Sequence, residues 1–141
     1  PYPEPIWEDE VFAAQPMGWL GLKRYSMVVG DLAGATEFVT GFLGGTKSYE
    51  EDRPALGAKA VGFDLGETVL ELLTPTGEGE IRDYLLAYRD GIRSTVFKVK
   101  DLEAAKAHLA SKGVTLRPGD APGALAIAAE DNAGIIFEFS E

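Results

Sequence analysis

The sequence predicts an α+β domain in which one β-α-β-β unit is folded twice, and three observations carry that prediction. The stretch GLKRYSMVVGDL at residues 21–32 returns as GIRSTVFKVKDL at residues 91–102. Gly21, Val29, Asp31, Leu32 and Ala35 recur as Gly91, Val99, Asp101, Leu102 and Ala105, each 70 residues later. Self-similarity this ordered marks a supersecondary unit that buries its apolar surface against its sister. Both copies also open on period-two alternation, the signature of a strand between two environments. Both then close on Asp-Leu, where a carboxylate can accept the free N–H groups of a helix's first turn.

The elements follow in order. Residues 1–20 form an arm or linker: Pro1, Pro3, Pro5 and Pro16 interrupt regular structure, while Trp7, Phe12, Met17, Trp19 and Leu20 are too apolar for a free tail. From Gly21 a strand runs through Arg24, Tyr25, Ser26, Met27, Val28 and Val29. Asp31 then caps a helix whose stripe is Leu32, Ala35, Phe38, Val39 and Phe42, ended by Gly44-Gly45. Strands at Ala58–Phe63 and Thr68–Leu73 flank a Leu65-Gly66-Glu67 turn. A connector at 76–90 carries Ile81, Leu85 and Tyr88 at helical spacing and separates module one (21–75) from module two (91–141). In module two the strand is Ile92–Val99, and Asp101 caps a helix bearing Leu102, Ala105, His108 and Leu109 up to Gly113. Gly123–Ala128 and Ile135–Phe139 are the last strands, separated by an Asp131-Asn132-Ala133-Gly134 turn.

Composition bounds the partners. A chain of 141 residues is long enough to bury a core. Its net charge of −10 argues against nucleic acid and against an anionic membrane surface, both of which call for clustered positive charge. A small anionic ligand stays open, because one local arginine outweighs distant charge. With no cysteine there is no disulfide, no thiolate nucleophile and no cysteine-bound metal. No apolar run approaches the roughly 20 residues that span a bilayer. The start at Pro1 is that of a trimmed chain or of a piece of a longer one. A cytoplasmic setting is the expectation.

The repeat, the LELLTP stretch at 70–75 and the ending DNAGIIFEF at 131–139 together resemble the vicinal oxygen chelate superfamily, the glyoxalase, bleomycin-resistance and dioxygenase group, over residues 21–141. Residues 70–113 are especially similar to its methylmalonyl-CoA epimerase branch. The resemblance implies paired βαβββ modules, a cup-shaped mixed sheet with helices on its outer face, and a homodimer. It also implies one divalent metal in the cup, held by a strand-start position and a strand-end carboxylate of each module. The carboxylates match Glu71 and Glu138; the strand starts, where histidine is usual, match Arg24 and Ser94. Arginine is permanently protonated and serine is a poor neutral ligand. No resident cofactor is therefore expected, and at most a weakly held divalent cation between Glu71 and Glu138.

Strand parity gives the residues their weight. Glu71 alternates with Leu70 and Leu72, and Glu138 with Phe137 and Phe139, so each carboxylate faces away from apolar neighbours. Pattern alone leaves that face as solvent or site; the resemblance places it inside the cup. Arg24 and Ser26 share parity and face the same way. Arg24 is read either as a structural partner of the carboxylates or as a bidentate binder of a ligand's carboxylate, enolate or phosphate. Lys98 shares the parity of Ser94 and is either a further ligand contact or a surface lysine. Glu50 and Glu51 fall in a region where epimerase relatives carry a base; either could pair with Glu138 as two bases on opposite faces of an acidic C–H. His108 matches Phe38 and is a helix-packing residue. Gly77-Glu78-Gly79 lacks the third glycine of a phosphate loop.

Function is expected from Glu138, Glu71, Glu51 and Glu50 as catalytic candidates, and from Arg24, Ser94, Ser26 and Lys98 as substrate contacts. The expected activity is that of an isomerase, epimerase or lyase moving a proton beside a carbonyl or carboxylate of a small metabolite. The alternative is a non-catalytic, drug-sequestering or ligand-sensing dimer of the same fold; a degenerate module supporting another domain is the third.

Overall fold

The computed structural model describes residues 9–128, 130 and 136–141, and turns the repeat into two copies of one unit sharing a sheet. Helix α1 (Asp9–Ala13) precedes β1 (Trp19–Val28), α2 (Leu32–Glu37), β2 (Thr46–Arg53), β3 (Ala58–Leu65) and β4 (Thr68–Pro75). Helix α3 (Glu80–Tyr88) connects these to β5 (Gly91–Val99), α4 (Leu102–Ser111), β6 (Arg117–Pro118), β7 (Leu125–Ile127) and β8 (Ile136–Ser140). The strand order is β2-β3-β4-β1-β5-β8-β7-β6. β1 and β5 pair antiparallel at the centre, and each has a parallel neighbour, β4 and β8. Each module is thus βαβββ, and the curled sheet is quasi-symmetric about the β1–β5 seam.

Apolar parity decides which face each helix covers. Val29, Val61, Phe63 and Leu72 meet Leu32, Ala35 and Val39 under α2. Val99 and Phe139 meet Leu102, Ala105 and Leu109 under α4. Both helices therefore lie on the outer face. The connector helix α3 is different: its Ile81 packs with Val28, Ala60 and Leu73, which share parity with the cup residues, so α3 closes the inner side of module one.

Both aspartate caps form. Asp31 accepts the Gly34 N–H and Asp101 the Ala104 N–H, each at 3.0 Å. Asp31→Ala and Asp101→Ala are each expected to cost about 1 kcal/mol in urea unfolding; no loss from either would show that packing alone sets the helix starts.

Four expectations are corrected. The first helix is α-helical only to Glu37 and passes into a π-helical turn at Phe38–Phe42. The wider turn breaks the 3.6-residue stripe: Val39 stays buried while Phe38 and Phe42 face outward and stack on each other at 5.6 Å. The β-α-β-β reading of the alternation pattern misses one strand in each module, β2 and the two-residue β6, which complete the βαβββ modules that the resemblance implies. β1 begins at Trp19, inside the predicted arm, where Trp19 packs edge-on against Phe97 at 5.4 Å and Met17 joins the core beneath α4. β7 is shorter than the predicted 123–128. Trp7, the Asp131–Gly134 turn and Ile135 lie outside the described residues.

Candidate active site

Two rows of side chains cross the cup. One runs Tyr49, Gly62, Glu71, Ser26, Ser94, Ile136 across six strands, each residue the register partner of the next. The other runs Arg117, Ala126, Glu138, Val96, Arg24, Val69. The quasi-twofold axis maps one row onto the other and pairs Glu71 with Glu138, Ser26 with Val96, and Ser94 with Arg24. Chemically the two halves are opposites.

Glu71 is fully buried and saturated. Ser26 donates its hydroxyl to one carboxylate oxygen at 2.7 Å. Tyr49 and Arg53 donate to the other at 2.6 and 2.8 Å, and Arg24 Nη1 stands 3.7 Å from it. The Tyr49 hydroxyl has its pKa raised, by burial first and then by the Glu71 charge, so it stays a donor. Gly62 makes the Tyr49 contact possible: a Cβ on it would lie 2.1 Å from the ring. Gly62→Ala is expected to cost about 1–3 kcal/mol through the displaced ring, and less in a Tyr49→Ala background; equal costs in both would remove the ring as the cause.

Glu138, also fully buried, is under-partnered. Its row offers Val96 in place of Ser26, so the hydroxyl donor is lost. One oxygen accepts the Asp120 backbone N–H at 3.2 Å; the other, Oε2, has no hydrogen-bond partner among the described residues. Burial above all, then the nearby Asp120 carboxylate, pushes its pKa up to about 7 against the opposing pull of that N–H and of Arg24. Gly119 lets the chain pass this closely, since a Cβ there would lie 2.8 Å from Oε2. Three more buried polar atoms of these rows are unpartnered, Arg24 Nε, Ser94 Oγ and Arg117 Nε. Burying four such atoms is costly unless something else satisfies them.

Two further arginines frame the site, and the sequence reading singled out neither. Arg53 binds Glu51 and Glu71 and donates Nη1 to the Asp120 carbonyl at 3.0 Å, tying module one to the β6–β7 loop. Arg93 is the extra residue at a β-bulge between Ser26 and Met27 in the β1–β5 register. Bulges re-aim side chains, and its guanidinium grips the Asp120 carboxylate at 2.8 and 3.2 Å and Glu80 at 2.5 Å. A cavity of about 810 Å³ adjoins this region, lined in part by Tyr84, Tyr88, Ile92, Arg93 and Ile136. Its size suits a small ligand. Ile136 is the register partner of Ser94 and lies two residues before Glu138 on the same face.

Of the predicted site residues, the structure brings Glu71, Glu138, Arg24, Ser26 and Ser94 together. Glu51 lies on the cup side but is held by Arg53. Glu50 points the other way, exposed, its carboxyl lowered to about 2 by hydrogen bonds from Lys47 and Lys59. Lys98 is exposed at the end of β5. His108 is half-buried on α4, away from both rows. Tyr49 and Arg53 were findable from one signal, the shared parity of Tyr49, Glu51 and Arg53, once β2 is read as a strand.

As a donor set for a divalent cation these residues fit poorly. Both Glu71 oxygens are engaged by protein donors, and a guanidinium occupies one strand-start position. No group of three or more His, Cys, Asp or Glu able to hold a metal occurs among the described residues. None of their helices is long and apolar enough to cross a membrane.

Similar structures share this architecture. Methylmalonyl-CoA epimerase from Mycobacterium tuberculosis superposes with a TM-score of 0.77 at 26% identity, over 86% of this chain and 87% of that one. A hypothetical protein from Bacillus halodurans C-125 gives 0.75 at 25% identity, over 84% and 91%. A Streptomyces coelicolor methylmalonyl-CoA epimerase variant in complex with 2-nitronate-propionyl-CoA gives 0.73 at 21%, over 84% and 94%, a likeness of fold. Curated protein sequences give no significant match. The family model for the Glyoxalase/Bleomycin resistance protein/Dioxygenase superfamily matches residues 21–139. With the paired βαβββ modules and the curled sheet, that match places the chain in the glyoxalase/bleomycin resistance/dioxygenase superfamily.

Proposed function

We propose that this protein is an isomerase- or lyase-type enzyme that moves a proton beside a carbonyl or carboxylate of a small metabolite, without a resident divalent metal. One observation carries the reading: a buried carboxylate oxygen of Glu138 without a protein partner, on the cup face that also holds the unpartnered Arg24 Nε and Ser94 Oγ. A general base needs a lone pair that no protein donor occupies and a pKa near the working pH. Glu138 Oε2 has such a lone pair, and burial raises the carboxyl to about 7. The enolate left by proton removal needs donors already in place. Arg24 supplies a permanent positive charge and Ser94 a hydroxyl. The guanidinium thereby takes the charge-stabilising part that a metal would otherwise have.

Likeness to methylmalonyl-CoA epimerases supports proton transfer as the reaction class. The test is solvent-deuterium uptake into methylmalonyl-CoA and small 2-oxo acids by protein purified without chelator, with metal analysis of the same sample. Uptake with substoichiometric metal is expected. Tight binding without uptake would favour the sequestering alternative, and stoichiometric Zn, Ni, Co or Fe would overturn the metal-free reading.

A further inference from the structure

We propose that the β6–β7 loop is a lid over Glu138 and that Asp120 is its latch: the loop is closed in this structure and opens while the rest of the sheet stays folded. The lid stands apart from the proton-transfer reading, and its test uses no substrate.

Glu138 is fully buried although one of its oxygens has no protein donor among the described residues. What lies over it is the loop. Asp120 donates its N–H to Oε1 at 3.2 Å, and Gly119 passes so close that a Cβ there would lie 2.8 Å from Oε2. The loop thus covers both oxygens and satisfies one. Closing over a half-satisfied carboxylate is costly, so other contacts must hold the loop down.

Asp120 supplies that hold. Its carbonyl accepts from Arg53 Nη1 at 3.0 Å, and its carboxylate accepts from Arg93 Nε and Nη2 at 2.8 and 3.2 Å. Both guanidiniums are anchored elsewhere as well, Arg53 on Glu71 and Glu51 and Arg93 on Glu80, so they keep their places when the loop lifts. The remainder of the loop adds little apolar burial. Pro122 and Gly123 are exposed, Gly119 and Ala121 are half-buried, and Ala124 is buried at the base. A segment held by the polar contacts of one residue opens at lower free energy than a packed core. The Gly119 N–H donates to the Ala124 carbonyl at 2.7 Å and Gly123 turns at φ +80°, which ties the segment into a short hairpin that moves as a unit.

The latch also has a place in the site. Arg93 lines the cavity of about 810 Å³, and Asp120 bridges from Arg93 to Glu138. Raising the loop takes Asp120 from between them and opens Glu138 toward that cavity. Lids that control access in this way are common in enzymes.

The experiment is native-state amide hydrogen exchange followed by NMR. The residue-120 amide is the reporter, because its acceptor is Glu138 itself; amides of the β1–β5 seam report global unfolding. In wild type the reporter is expected to exchange at least about 10-fold faster than the seam, after correction for intrinsic rates. Two variants loosen the lid independently. Asp120→Ala removes the latch, and Gly119→Ala leaves the latch in place but sets a Cβ against Oε2. Each is expected to speed the reporter about 10–100-fold more than it speeds the seam. A wild-type reporter as protected as the seam would overturn the lid, since the loop would then open with global unfolding alone. Equal acceleration of reporter and seam in both variants would overturn it too, leaving Asp120 and Gly119 as structural residues of the whole fold. Selective acceleration in Gly119→Ala alone would overturn Asp120 as the latch.

Discussion

Arg53→Ala is expected to destabilise the domain by about 3–5 kcal/mol, the usual cost of removing one partner from a buried ion pair. Glu71 is fully buried, and Arg53 is the cation that hydrogen-bonds it, since Arg24 stands off at 3.7 Å. The same side chain holds Glu51 and the Asp120 carbonyl, so its loss also releases the β6–β7 loop from module one. Arg53→Lys should recover only part of the loss, because a single ammonium cannot span three acceptors in a planar fork. Glu71→Gln in the Arg53→Ala background should restore stability, since it removes the stranded charge. Urea unfolding of the four members of this double-mutant cycle decides the matter. A loss below about 1 kcal/mol, or strictly additive losses, would show that Glu71 does not depend on Arg53.

What was legible in the sequence follows from where each residue spends its side chain. β1 and β5 repeat recognisably because their outward residues pack under helices that both start on Asp-Leu, so burial and capping impose the same letters twice. The pair Glu71 and Glu138 was visible as two charges set into apolar strands. β2 was not. It is an edge strand whose outward residues are solvated and whose inward residues, Tyr49, Glu51 and Arg53, enter a polar cluster, so TKSYEEDR shows no apolar alternation. The π-helical turn was equally hidden, because the stripe through Phe38 and Phe42 suits a continuous α-helix. Arg93 carried no local signal either: only the bulge turns it to Asp120, and a bulge is a property of two paired strands. The asymmetry between the two glutamates could be read only after register was known, when Val96 is found opposite Glu138 and Ser26 opposite Glu71.

Glu138→Gln is expected to stabilise the protein at alkaline pH while removing its chemistry. The carboxyl has an ordinary value of 4.5 and is raised to about 7 in the fold. Between those two values the folded state binds a proton that the unfolded state has released, so wild-type stability falls as pH rises through this window. Two to three pH units correspond to about 3 kcal/mol, present in full below pH 4.5 and lost above pH 7. Glutamine keeps an acceptor for the Asp120 N–H and cannot ionise. The variant's melting temperature should therefore match wild type near pH 5 and exceed it by about 10 °C at pH 8. A constant difference across pH would mean that Glu138 does not titrate in this range. Proton-transfer activity should move oppositely, with the acid limb of kcat/KM rising through an apparent pKa near 7 in wild type and absent in the variant. A surface carboxylate would show neither trend, and a purely structural buried glutamate would show only the first. The burial that disfavours the charge in the fold is also what brings the base near neutrality, so the two profiles together separate a retained packing residue from a working one.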